Sequence, residues 1–225
     1  MVHLGLIKGK MTPVFIYFMA FSFLVSLTVY FVDRPAPRYL LFFPPFLLAS
    51  TAIELWGYHL ATTGRSNVFL YNFFSLSEFC FYFFIISLII TSGRVKRLIR
   101  LSTVLYAVAA VINILFIQGM KMIHTVTYSV GCLLVVVFCI YYFLELFRLP
   151  KSIKLHTNPA FWICSGLLFY YCCGFPLYGL FNYLMKISTL FVRNFYLIIT
   201  ILNIFLYSLF TIGFLCRLRS RKYTS

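Results

Sequence analysis

Two glutamates in this chain sit where a carboxylate is costly. Only four acidic residues occur, Asp33, Glu54, Glu78 and Glu145. Glu54 and Glu78 fall inside apolar runs long enough to cross a bilayer, and an ionisable group at membrane depth points to function by default. Each heads a polar stripe at helical spacing. Thr51, Glu54, Tyr58 and Thr62 share one face of the first run. Tyr71, Ser75, Glu78 and Tyr82, at i, i+4, i+7 and i+11, share one face of the next. Near the C-terminus Tyr196, Thr200, Asn203 and Tyr207 repeat the pattern. Tyr171, Tyr178 and Asn182 form a further polar face, and Asn113, His124 and Tyr128 are other isolated polar positions.

The chemistry open to such a set follows from the carboxylates. Two of them close together in low dielectric cannot both stay charged cheaply, so they must share a proton or hold a cation or an amine. Glu54 lies ten residues before Gly64 and Glu78 ten residues after Val68. At 1.5 Å per residue both fall about 15 Å from the same end of two antiparallel helices. The candidate ligand-binding residues are therefore Glu54, Tyr58, Ser75, Glu78, Tyr82, Thr200, Asn203 and Tyr207, with no catalytic residue assigned. The competing expectation for the Ser, Thr and Tyr positions is interhelical hydrogen bonding that only holds a bundle together. Glu145, three residues before Arg148, is expected to form a local ion pair, and Asp33 to neutralise Arg34 or Arg38.

Other chemistries lack their residues. His3, His59, His124 and His156 are too scattered for a metal motif, although His59 leaves a Glu54, His59 and Glu78 ligand set open. No lysine lies in the last apolar run after Arg193, which excludes a retinal Schiff base of the rhodopsin kind. No other cofactor is expected. Asp33, in a charged loop, is the only aspartate, which disfavours an intramembrane aspartyl protease. Cys80, Cys132, Cys139, Cys164, Cys172, Cys173 and Cys216 all lie in or beside apolar runs and are expected as free thiols.

The elements that must position these residues are legible from hydropathy. The chain is 63% hydrophobic and 10% charged, far from the roughly 25% charged composition of soluble domains. The expected fold is an all-α integral membrane protein, one domain over 1–225. Its seven transmembrane helices are placed at about 13–32, 39–63, 68–92, 101–118, 123–147, 159–185 and 193–216. Thr12-Pro13 and Asn158-Pro159 read as helix starts, and Gly64, Gly93 and Gly119 as helix ends. Pro44-Pro45 and Pro176 predict kinks.

The net charge of +15 is carried between the apolar runs. Thirteen of the nineteen Lys and Arg residues fall on the side that holds Arg94-Val95-Lys96-Arg97 and Arg217-Leu218-Arg219. That side is expected to be cytoplasmic, with the N-terminus outside and the C-terminus inside a bacterial inner (plasma) membrane. The basic runs then contact anionic lipids and offer a surface for a cytoplasmic signalling protein. No folded basic domain remains for nucleic acid.

The segments Glu54-Leu55-Trp56-Gly57, Asn67 to Asn72, Glu78-Phe79 and Phe161-Trp162 to Tyr170 resemble those of small multi-span membrane proteins of Bacteroidota-type bacteria, related to the membrane sensor portions of histidine kinases. The resemblance covers roughly residues 39–216 and implies a sensor, without assigning functional residues. The leading expectation is a receptor-like or sensory protein with an outward-facing polar site for a small ligand or cation. A small proton- or cation-coupled transporter is the second reading, and a membrane-embedded lipid hydrolase the third.

Overall fold

A computed structural model of the chain describes residues 13–32, 36–119, 124–148, 155–180 and 189–221. Helices account for nearly all of it: α1 (Val14–Val32), α2 (Arg38–Leu41), α3 (Phe43–Thr62), α4 (Val68–Ile89), α5 (Gly93–Ile112), α6 (Thr125–Phe147), α7 (Pro159–Gly179) and α8 (Thr189–Arg221). A π-helical turn, Asn113–Ile117, extends α5, and a 3₁₀ turn, Leu155–Thr157, precedes α7. Among the described residues seven helices are long and apolar enough to cross a membrane, counting α2 with α3 as one passage. Large apolar side chains such as Phe31, Phe116 and Phe147 stand exposed on the outside, as a lipid-facing surface requires.

Six of the long helices close into a ring. α1 packs between α3 and α8, α3 runs beside α4, α4 touches α6, α6 packs along α7, and α7 returns to α8. α5 leans on α4 and α6 from outside the ring, and it is the least buried of the seven. Aromatic rings fill the interior towards the α4–α5 end. Phe43 of α3 meets Phe210 and Phe214 of α8 with centroids 5.3 and 5.4 Å apart, and Phe46 stacks on Phe81 of α4 at 3.7 Å. Phe79 seats on Gly131 of α6, where an added Cβ would fall 2.8 Å from the ring.

Several boundaries differ from the sequence expectation for identifiable reasons. The fourth membrane helix starts at Gly93, not near 101, so Arg94, Lys96, Arg97 and Arg100 ride on its first turns instead of in a loop. Gly93 thus opens a helix; α4 has already ended at Ile89, and Ile90 is extended. Gly64 and Gly119 do close helices, with φ of +73° and +68°. The Pro44-Pro45 kink is realised as a break at Phe42, because the prolines occupy the first turn of α3, where no N–H is needed. α7 runs unbroken through Pro176, which lies in its last turn. α8 continues to Arg221, so Arg217 and Arg219 ride on its last turns. Asn158 caps α7, its Oδ1 accepting from the Ala160 amide at 3.0 Å. Asp33, Thr12, Asn182 and the expected end of the sixth span near 185 lie outside the described residues.

Candidate functional site

Periodicity turns both glutamates into the ring. Glu54 is fully buried and Glu78 is 4% exposed. The carboxylates are close enough to interact electrostatically, and among the described residues no lysine, arginine or histidine side chain answers either one. Tyr71, in the first turn of α4, donates to Glu54 Oε2 at 3.0 Å. Glu54 Oε1 has no partner. Tyr82 donates to Glu78 Oε1 in a long contact of 3.4 Å. The Tyr171 hydroxyl also lies against Glu78, off the geometry of a hydrogen bond.

The Tyr71 contact depends on a glycine. A Cβ at Gly57 would sit 2.2 Å from Tyr71 Oη and 2.7 Å from Cζ. Glu54-x-x-Gly57 on α3 is therefore a carboxylate with a slot beside it that admits the tyrosine ring. Asn67 fixes the same hairpin by donating to the Gly57 carbonyl at 3.2 Å.

α8 supplies the facing stripe. Asn203 and Tyr207 are buried at 0% and 2% exposure. Tyr196 interacts electrostatically with Glu54, and Tyr207 with both Glu54 and Glu78, so the stripe faces the pair along its length. Asn203 Nδ2 donates to the Ile199 carbonyl at 2.7 Å. Only the amide nitrogen can make that bond, so the orphaned atom is Oδ1. Thr200, one turn earlier, sits beside Tyr196 without a properly formed bond. From α7, the Tyr178 ring lies 4.2 Å from that of Tyr128 and within electrostatic reach of both glutamates.

Two of the eight candidates stand at the margin. Ser75 is half-buried, and its hydroxyl donates to its own helix at the Asn72 carbonyl, 3.0 Å away. Tyr58 is half-buried towards the end of α3, near Tyr196. The expected interhelical bonding by Ser and Thr is largely replaced by bonds to carbonyls three or four residues back. Ser50, Thr51, Ser165 and Thr211 all do this, at 2.7–2.8 Å.

Ser22 of α1 is an exception outside the expected site residues. It is fully buried, and its hydroxyl has no partner, whereas Ser26 one turn later bonds the Phe23 carbonyl. Gly57, Tyr71 and Tyr178 likewise join the site without being among the expected ligands. Tyr71 and Tyr178 stood on recognised polar faces, and Ser22 and Ser26 formed a visible i, i+4 polar pair.

The metal set with His59 does not assemble. His59 is exposed while Glu54 is buried, and no cluster of three His, Cys, Asp or Glu occurs among the described residues. Glu145 also departs from expectation. Its carboxylate accepts from the Thr91 amide at 2.9 Å, the Ser92 amide at 3.0 Å and the Thr91 hydroxyl. It pins the α4–α5 turn to the end of α6 instead of pairing with its neighbour Arg148. All seven cysteines are free thiols; Cys132, Cys139 and Cys164 are buried, while Cys172 faces outward.

Searches with this chain match no family model, no curated protein and no solved structure.

Proposed function

We propose that this is a receptor-like or sensory multi-pass membrane protein whose intramembrane site takes a small cationic ligand at Glu54 and Glu78. The observation that carries the reading is the pair itself. Two carboxylates share the interior of one helix ring with no basic side chain of the described residues to balance them. Charge buried in that way calls for a counter-charge or a proton. The chain lies with its N-terminus outside and its C-terminus in the cytoplasm of a bacterial inner membrane, which follows from the excess of Lys and Arg at the α4–α5 turn and the end of α8.

In this orientation the basic first turns of α5 and the last turns of α8 meet anionic lipid headgroups and a cytoplasmic signalling partner. Glu145 ties the α5 start to α6, and α4, which carries Glu78, leads directly into that turn. A change at the carboxylates has a short path to the basic surface.

Reconstitution in liposomes separates this reading from a transporter. The sensor reading predicts no proton or sodium flux above that of empty vesicles. It also predicts that a photoreactive residue at Arg97 or Arg219 crosslinks one cytoplasmic protein, while one at the lipid-facing Phe116 does not. Flux that Glu54→Gln removes would assign the protein as a transporter. Turnover of a phospholipid in detergent would assign it as a hydrolase.

A further inference from the structure

We infer that the ligand of this site is a hard metal cation held by oxygen atoms of Glu54, Glu78 and Asn203, with Ser22 in the same layer. The inference rests on the proposed site and names what occupies it.

Depth is the first support. Along each helix from the end that carries the 63–67 loop, Ser22 lies about 12 Å in from Val14, Glu54 about 12 Å from Thr62 and Glu78 about 15 Å from Val68; on α8, Asn203 lies between Tyr196 and Tyr207, which interact electrostatically with Glu54 and with both glutamates respectively. Four buried polar residues on α1, α3, α4 and α8 thus share one level of the bundle. α1 packs against both α3 and α8, so the buried Ser22 belongs to the same wall.

The free atoms are the second. Glu54 Oε1, Asn203 Oδ1 and Ser22 Oγ are buried and unpartnered, and all are oxygens. Asn203 is held by its nitrogen to the Ile199 carbonyl, and Glu54 by its other oxygen to Tyr71. Each anchor leaves an acceptor free. The unpartnered atoms include no nitrogen, and a set of oxygens suits an oxygen-seeking cation.

Spacing is the third. Oxygens that share a proton sit about 2.5–3.0 Å apart. Around a hard cation with metal–oxygen distances of 2.3–2.6 Å, neighbouring oxygens lie about 3.3–5 Å apart, beyond hydrogen-bond reach. Glu54 Oε1 and Asn203 Oδ1 each lack a hydrogen-bonding partner among the described residues, as oxygens placed to meet a cation do. The interior is also filled with rings in contact, such as Tyr82 with Tyr171 at 5.8 Å and Tyr170 with Tyr171 at 5.0 Å. That packing favours a monatomic ion over an organic ammonium.

The test uses the purified full chain, stripped with chelator in detergent and unfolded by heat. Reaction of the buried thiols Cys132, Cys139 and Cys164 with a fluorogenic maleimide reports unfolding. Sodium chloride and calcium chloride are titrated against choline chloride at matched ionic strength and fixed pH. The expected result is a saturable rise in Tm with sodium or calcium but not choline, the responding ion giving the charge class. The rise disappears in Glu54→Gln and Asn203→Leu. It survives in Asn203→Asp, which keeps the oxygen, and in Ser165→Ala, whose hydroxyl bonds its own helix. Stabilisation by choline alone would overturn the inference in favour of an organic cation. Stabilisation by acid alone, lost in Glu54→Gln, would leave the carboxylate site standing as a proton site. No response to ions or pH, with Glu54→Gln and Glu78→Gln like wild type, would remove both.

Discussion

Replacing Gly57 by alanine tests the local geometry of the site most sharply, because its sign should depend on a residue of another helix. The added methyl would lie 2.2 Å from Tyr71 Oη and 2.7 Å from Cζ, so the ring must leave its slot. The Tyr71–Glu54 bond of 3.0 Å then breaks, and both Glu54 oxygens are left bare. A hydrogen bond within a membrane bundle contributes about 0.6 kcal/mol on average and up to about 1.7. Forcing a methyl into a filled space costs roughly 1–3 kcal/mol more. Alanine in place of a mid-helix glycine returns about 1 kcal/mol. The net expectation is a loss of about 1–4 kcal/mol in the wild-type background. With Tyr71→Ala already in place the slot is empty, and Gly57→Ala should be neutral or stabilising by up to about 1 kcal/mol. Reversible unfolding in mixed detergent and dodecyl sulfate micelles, followed by circular dichroism, gives the four free energies. An equal penalty for Gly57→Ala in both backgrounds would refute the slot and the role it gives Tyr71.

Other substitutions probe the scaffold around the site. Glu145→Ala removes the acceptor for two backbone amides and the Thr91 hydroxyl, and should cost about 1–3 kcal/mol in the same unfolding assay. The variant should also speed proteolysis at the α4–α5 turn, and an unchanged cleavage rate would argue against the tie. Gly131→Ala drives a methyl to 2.8 Å from the Phe79 ring and should lower stability by roughly 1–3 kcal/mol. Pairing it with Phe79→Leu should recover part of that loss. Asn158→Ala removes the α7 cap at a cost of about 0.5–2 kcal/mol, whereas Asn158→Asp should be tolerated.

The parts of this account that were legible in the sequence are those fixed by periodicity and chain length. A 3.6-residue repeat puts Glu54 and Glu78 on defined faces, and the short 63–67 loop sets them at one depth, so their approach inside the bundle could be anticipated. Asn203 was legible as a member of the Tyr196, Thr200, Asn203 and Tyr207 stripe. What escaped depends on contacts between elements. Gly57 has value only because the Tyr71 ring, 14 residues on, occupies the space beside it. Ser22 is not legible in the sequence as a site residue, since a serine in an apolar helix ordinarily bonds its own backbone, as Ser26 does. Glu145 was assigned to Arg148 by proximity in sequence, while its partners stand 53 and 54 residues away. The start of α5 was placed too late because four basic residues interrupt hydropathy without interrupting a helix.

The central claim is that Glu54 and Glu78 form one site, and a double-mutant cycle measures it directly. The unfolding free energies of wild type, Glu54→Gln, Glu78→Gln and the double variant are compared at neutral pH in chelator-treated, sodium-free detergent. Carboxylates that share a site repel each other, so neutralising one already relieves the other. The double variant should then differ from the sum of the single effects by at least about 1 kcal/mol. Additivity within about 0.5 kcal/mol would show two independent buried acids and contradict the account.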